Sequence, residues 1–386
     1  MTDVFLFDAV RTPRGKARLD GGLADLSPQE LVRSQIEALK DRRGIAIERA
    51  EALLLGCVTQ SGVQGANIAL ISKLHSGLDD NVAALTINNY CASGLSAIGQ
   101  AIAMVGSGQA NAVLAGGVEM MSQTPFMSDK ASYYSDQSLP QRARYIPPVL
   151  AADRLANTEG LGRLALDAVA LVSQQRATAA EHDPQLQHSR IAVGKLAGEE
   201  CIRPTTTSES LAAAAPAFGA LQADFAGALG GAGFEPIHTL AHAPPVCDGA
   251  ALALVGGSGI GANPRARVLA YAESGGDPEA SFTAGLAAMD KALARAGLSL
   301  NQIDRIEFME AFAVTIAKFL RDREPHPERV NVAGGHLAKG HPMGASGAIL
   351  TSTLLDTLDA AKASLGLIVT TGATGVGAAM IVERIN

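Results

Sequence analysis

Cys91 and His341 are the two residues best placed to carry chemistry. Cys91 lies in Asn89-Tyr90-Cys91-Ala92-Ser93-Gly94, between an apolar run that reads as a strand and a small-residue segment that reads as a helix. A thiol at a helix start meets backbone N–H groups without partners and the positive end of the helix dipole, and both favour thiolate. In that setting Cys91 is a nucleophile for covalent catalysis. The other reading of the same residue is a buried, inert thiol. Cys57 beside Gly56 reads as core, and Cys201 and Cys247 lack the strand-to-helix setting. A nucleophilic thiol needs a base. His341, in the turn Gly340-His341-Pro342-Met343-Gly344 that runs into a helix, is the candidate, with His336 five residues earlier as the alternative. His341 can also be read as a surface loop residue. His75, His182, His188, His238 and His326 read as polar-loop residues without a role.

The elements that must position these two residues alternate between strand and helix. Val4 to Phe7, Leu53 to Gly56, Asn81 to Ile87 and Ala112 to Ala115 read as buried strands, the last closed by Gly116-Gly117. Ser27-Pro28 starts a helix, with Ser as N-cap and Pro at the first helical position, and a second helix runs from Ser93 to about Val105. The C-terminal half repeats the pattern. Ala345-Ser346-Gly347 opens a helix as Ala92-Ser93-Gly94 does, and Leu365 to Thr371 runs into Gly372 as the earlier strand ran into Gly116. A second echo links Asp248 to Val255 with Gly377 to Val382. The spacing predicts two related α/β halves with a mostly parallel buried sheet. Residues 121–243 have a different texture, with Tyr133-Tyr134, Pro147-Pro148 and one clear helix from Leu164 to about Ala180, and read as an insertion over one face of the first half.

Composition removes several classes of function. Across 386 residues, 47% are hydrophobic and 18% charged, which predicts a sizeable core rather than disorder. A net charge of -7 argues against a nucleic-acid partner. Four scattered Cys suit neither a disulfide scaffold nor a metal cluster, so no metal is expected and the cytoplasm is the expected compartment. The opening MTDVFLFDAVRTPRG lacks a signal-peptide pattern, and no apolar run reaches the roughly 20 residues of a membrane span.

Several motifs then resemble those of one family, the thiolases, in the correct order from residue 4 to residue 384. FLFDAVRTPRG resembles the start, NNYCASGLSAI the nucleophile signature and AGGVEMMSQTPF the segment after it; MEAFA and GGHLAKGHPMGASGA resemble the two C-terminal segments. The resemblance implies a thiolase-like α/β fold: duplicated βαβαβαββ halves in a five-layered α-β-α-β-α core with an inserted loop domain. The halves would be residues 1–120 with about 244–264, and residues 265–386, with the loop domain at 121–243. It also implies acyl transfer. Cys91 would carry the acyl group as a thioester, His341 would activate it, and Glu310 would belong to the catalytic set. Backbone N–H groups of Cys91 and Ala373 would hold an oxyanion. Arg203, Phe218, Pro244, Ala311 and Phe312 map to residues around coenzyme A, which would come and go as substrate and product with no tightly bound cofactor. An acyl-CoA small molecule is the implied partner, without nucleic acid or membrane, in a homodimer or homotetramer.

The departures bear on the reaction. Thr371 stands where thiolases carry a second Cys, the acid/base at the substrate's alpha carbon, and a Thr hydroxyl has no useful pKa near neutrality. Met309 replaces the Asn or His before the family's Glu, and Pro244 a common Ser or Thr. Three readings stay open: thiolysis or Claisen condensation altered by the missing Cys, an acyl-CoA transferase or hydrolase without C–C chemistry, and a non-catalytic acyl-CoA-binding subunit. Acyl length and the degradative or biosynthetic direction are open too.

Overall fold

Most apolar runs with few charges become strands buried on both faces, and the polar or glycine-containing joints between them become turns. The run ending at Ile87 is the exception, exposed or half-buried along the sheet edge. The computed structural model describes residues 2–231, 233–261 and 263–385. Its strands are β1 (Phe5–Arg11), β2 (Gly15–Lys16), β3 (Ala52–Gly56), β4 (Ala83–Ile87), β5 (Ala112–Met120), β6 (Cys247–Gly256), β7 (Ala266–Gly275), β8 (Arg305–Phe308), β9 (Leu365–Gly372) and β10 (Val376–Arg384). The order across the sheet is β4-β3-β5-β6-β1-β7-β10-β9-β8, with β2 on β6. The two sets meet at β1 and β7, where only Phe5 with Arg267 and Leu6 with Ala266 are in register.

The two sets share one pattern. In the first, β3 runs parallel to β4 and β5, and β5, β6 and β1 are antiparallel neighbours. In the second, β8 runs parallel to β9, and β9, β10 and β7 are antiparallel neighbours. The place of β4 is taken there by a single parallel bridge between Ile306 and Val330. The duplication expected from the sequence is therefore present in the topology, but the sheet is mostly antiparallel rather than mostly parallel. Only the β3–β4, β3–β5 and β8–β9 pairs run parallel, because β6 and β10 return beside β5 and β9 in the opposite direction.

The helices are α1 (Pro28–Arg43), α2 (Ile68–His75), α3 (Ser93–Gly106), α4 (Pro148–Glu159), α5 (Arg163–Ala180), α6 (Ser208–Ala212), α7 (Leu221–Asp224), α8 (Ala284–Ala296), α9 (Ala313–Arg323), α10 (His336–Lys339) and α11 (Ser346–Ala361). Ser27 caps α1 in a box with Glu30, and Pro28 sits in the first turn, as the sequence signal requires. Helices α1 and α2 cover the outer face of the first set and α8 that of the second, while α3 and α11 pack against each other between the two. That is the five-layered arrangement. The central pair approaches closely because each helix opens with glycine. A Cβ on Gly94 would lie 2.6 Å from the Gly344 carbonyl oxygen, and one on Gly347 would lie 2.5 Å from the Leu95 nitrogen. None of the described helices is long and apolar enough to cross a membrane.

One boundary differs from the sequence reading in a way that matters for the site. Gly116-Gly117 does not close a strand; β5 continues to Met120. The two glycines serve close packing, since a Cβ on Gly117 would meet the Gly344 carbonyl oxygen at 2.4 Å. The extension carries Glu119 into the core. Strands β5 and β6 then pair from Ala112–Gly256 to Met120–Asp248, although residues 121–246 come between them. That excursion holds α4 to α7, with α5 packed on α9 and α10.

Candidate active site

Cys91 sits on a pinned elbow between β4 and α3. The Asn88 carboxamide accepts from the Tyr90 N–H (3.0 Å) and donates to the Val58 carbonyl (3.0 Å). The Ser93 hydroxyl donates to the Tyr90 carbonyl (2.5 Å) and accepts from the Asn89 N–H (2.8 Å). Tyr90 itself is held at φ +47°, a left-handed conformation that persists only where the surroundings over-determine it. The partly buried thiol faces a cavity of about 30 Å³ whose walls include Tyr90, Phe126, Tyr134, Tyr145, Met343 and Ala373.

Below this elbow Glu119 ties the two halves together. Its fully buried carboxylate accepts from the N–H groups of Val58 (2.9 Å), Thr59 (3.0 Å) and Gly344 (2.9 Å), and from the Gln64 side chain (2.8 Å). Gly344 belongs to the turn that follows His341, so one side chain fixes that turn against the first half. Met343 of the same turn packs on Cys91.

His341 is buried, with its Nδ1 2.7 Å from the Ser346 hydroxyl. Its Nε2 has no partner among the described residues. Its backbone N–H donates to the Pro245 carbonyl (2.8 Å). Burial, reinforced by the Arg14 guanidinium, pushes the imidazole down to about 3, so it is neutral at pH 7. His336 lies against it, ring centroids 5.2 Å apart, and neither of its ring nitrogens has a partner among the described residues. Burial also pushes the Cys91 thiol up, to about 12, and the Glu119 carboxylate pushes the same way. The thiolate expected at a helix start is thus not the form the free protein favours. Desolvation in an aromatic cavity outweighs the helix end.

Glu310 lies outside that cavity. Its carboxylate accepts from the Ser173 hydroxyl (2.7 Å), the Leu337 N–H (3.0 Å) and the Asn331 carboxamide (3.0 Å). These bonds hold the segment that leads into α10. Met309 is fully buried and its N–H donates to the Val369 carbonyl (2.9 Å). Thr371 donates its hydroxyl to the Phe282 carbonyl (2.6 Å) and packs at Gly285. It is Gly372 that adjoins the nucleophile, since a Cβ there would lie 3.5 Å from the Cβ of Cys91. Ala373 lines the Cys91 cavity.

The residues mapped to coenzyme A fall elsewhere. Arg203 lines a separate cleft of about 520 Å³ with Gln174, Thr206, Ser210 and Leu240, and Phe218 is half-buried next to its wall residue Ala217. Pro244 is half-buried three residues past Ala241 of the same wall. Ala311 and Phe312 are buried at the start of α9, where the Phe312 ring meets Phe282 (5.3 Å) and His238 (5.9 Å). His238 is no polar-loop residue: it is buried, with Nδ1 2.7 Å from the Asp153 carboxylate. That pair depends on α4 and the 236–242 segment meeting, which local sequence does not reveal.

Other contributors also escaped the sequence reading. Arg11 pairs with buried Glu199 at 2.6 Å, and the Arg14 N–H donates to the same carboxylate at 2.9 Å. Arg14 is the charge that bears on His341. The available signal was an arginine pair flanking a buried strand and a glutamate inside an apolar one.

Comparison with known proteins gives a consistent answer across the chain. The thiolase N-terminal domain model matches residues 4–256 and the thiolase C-terminal domain model residues 262–384. The chain is 33% identical to a beta-ketoadipyl-CoA thiolase of Pseudomonas putida, with both chains covered in full. It is 32% identical to the 3-ketoacyl-CoA thiolase FadA of Escherichia coli K12, again over the whole of both. With the duplicated five-layered core, the elbow at Cys91 and the His341 turn packed upon it, the chain belongs to the thiolase family of acyltransferases.

Proposed function

We propose that this protein transfers acyl groups to and from coenzyme A through a thioester on Cys91. The observation that carries the reading is the elbow itself: a thiol on a turn pinned by three hydrogen bonds within it and a fourth to Val58, facing a narrow cavity, with the histidine-bearing turn packed on it. Neutral His341, tied at Nδ1 to Ser346 and free at Nε2, takes the thiol proton as the sulfur attacks the acyl carbonyl. The same proton passes to the departing coenzyme A sulfur, leaving the acyl group on Cys91. Backbone N–H groups at Cys91 and Ala373 hold the oxyanion. Coenzyme A is a substrate, not a resident cofactor. Its nucleotide end occupies the cleft at Arg203, whose volume of about 520 Å³ is in the range of ligand sites. Incubation with acetyl-coenzyme A is expected to raise the intact mass by one acetyl group, and Cys91→Ala to abolish the rise. An unchanged wild-type mass across acyl-coenzyme A esters of different length favours a non-catalytic subunit instead.

A second reading, acyl transfer or hydrolysis without C–C chemistry, is favoured by Thr371. Its hydroxyl is committed to the Phe282 carbonyl and cannot serve as a base. Cleavage of acetoacetyl-coenzyme A is therefore expected to be about 10²–10⁴-fold weaker than with a second thiol, the usual contribution of an acid/base group. Gly372→Cys is expected to raise that cleavage, because a side chain there, unlike one at Thr371, points at Cys91 and has only the end of the Val376 side chain to displace. If the rate stays flat while Cys91 still takes up acetyl, the reading without C–C chemistry stands.

We also read the assembly as a homodimer built on the β4 edge. That strand has β3 on one side only, and Leu85, Leu70, Leu74 and Val63 are exposed on or near it. All four cysteines are free, which suits a reducing cytoplasm.

A further inference from the structure

The walls around Cys91 carry more information than the nucleophile does. Of the chain's five tyrosines, Tyr90, Tyr134 and Tyr145 line the cavity and Tyr133 backs it. Tyr145 is 4% exposed, and its ring meets Tyr134 at 4.8 Å, Tyr133 at 5.7 Å and Phe225 at 6.3 Å. Two of the hydroxyls are pinned, Tyr145 to the Met127 sulfur (3.7 Å) and Tyr134 to the Asp129 carboxylate (3.0 Å). Four of the lining residues have left-handed backbone: Tyr90 at φ +47°, Met127 at +65°, Met343 at +28° and Thr374 at +59°. Backbone of that kind in non-glycine residues is kept only by dense surroundings. The box is thus a packed wall. Its free space of about 30 Å³ equals that of about two waters.

We propose that Tyr90, Tyr134 and Tyr145 restrict the acyl group carried by Cys91 to acetyl size. The inference rests on Cys91 being the acyl carrier and adds the class of group it carries. An acetyl methyl fits beside the thioester without displacing a ring. A hexanoyl chain must push Tyr134 or Tyr145 out, breaking ring contacts and leaving a pinned hydroxyl without its partner. Attack on the C3 carbonyl of a 3-ketoacyl-coenzyme A leaves on Cys91 the acyl group beyond C2, so the limit confines cleavage to acetoacetyl-coenzyme A and its C2-substituted relatives, and only a C2 substituent stays on coenzyme A.

The test uses the full chain with acetyl-, butyryl-, hexanoyl- and octanoyl-coenzyme A, reading the rate of mass gain at Cys91. Acetyl is expected to load at least about tenfold faster than hexanoyl, the lower end of what one methylene does in a tight pocket. Tyr145→Ala is expected to bring the two rates together. Tyr134→Ala, at a half-buried site that tolerates truncation, is expected to do the same and decides the matter if Tyr145→Ala does not fold. Hexanoyl loading as fast as acetyl in wild type overturns the size limit while leaving Cys91 as the acyl carrier. Selectivity unchanged in a folded variant of either tyrosine overturns the assignment to these rings. No loading from any ester overturns the acyl-carrier reading itself, a separate result.

Discussion

Replacing Glu119 by alanine is expected to lower stability by about 3 kcal/mol or more. Three buried donors lose their acceptor at once, the N–H groups of Val58, Thr59 and Gly344, while the Gln64 carboxamide keeps the Thr59 carbonyl. Each unsatisfied buried donor costs about 1–3 kcal/mol. Against a typical total of about 5–15 kcal/mol, that loss leaves a marginal protein. Gly344 lies in the turn after His341, so the variant also loosens the histidine turn from the Cys91 elbow. Urea unfolding followed by tryptophan-independent circular dichroism suits a chain with no Trp. A midpoint unchanged from wild type, with Cys91 acylation intact, would show that water replaces the carboxylate at no cost and that the clamp is not real.

The second large effect concerns Cys91 in the absence of substrate. With its thiol pushed up to about 12, alkylation by iodoacetamide at pH 7 is expected to be about 100-fold slower than that of a free cysteine near 8.5. Thiolate is about 3,000-fold scarcer, and the greater nucleophilicity of a more basic sulfur recovers part of the difference. The sign follows from the raised pKa. The rate climbs about tenfold per pH unit through pH 8 to 10 and does not level off where an ordinary thiol would. His341→Ala is expected to leave this profile nearly unchanged, because the imidazole is neutral at these pH values and lends no charge. The same variant is expected to slow acyl transfer about 10²–10⁴-fold, since its proton transfer occurs only as the bond forms. A wild-type plateau near pH 7 that His341→Ala removes would instead demonstrate a resting thiolate–imidazolium pair.

This outcome reverses what local sequence suggests. A cysteine before a small-residue helix reads as an activated thiol because the helix end is visible in the sequence. The desolvating walls are not. Tyr134 and Tyr145 come from a segment more than forty residues away, and Glu119 reaches the site only because β5 continues through Gly116-Gly117.

Chain order, the capping box at Ser27, the matching Ala-Ser-Gly starts of α3 and α11, and the placing of Cys91 and His341 in the turns before those helices were all legible in the sequence, because periodicity and turn chemistry act over a few residues. The family motifs, spread from residue 4 to residue 384, identified the fold and the acyl-transfer chemistry. Tertiary structure alone decided the rest. It bonded Glu310 to Ser173 and the Leu337 N–H, committed the Thr371 hydroxyl to Phe282, brought His336 against His341, and set aromatic walls around the thiol. Burial and partner geometry arise from segments distant in the chain, and it is those that set a group's charge and reach once water is excluded.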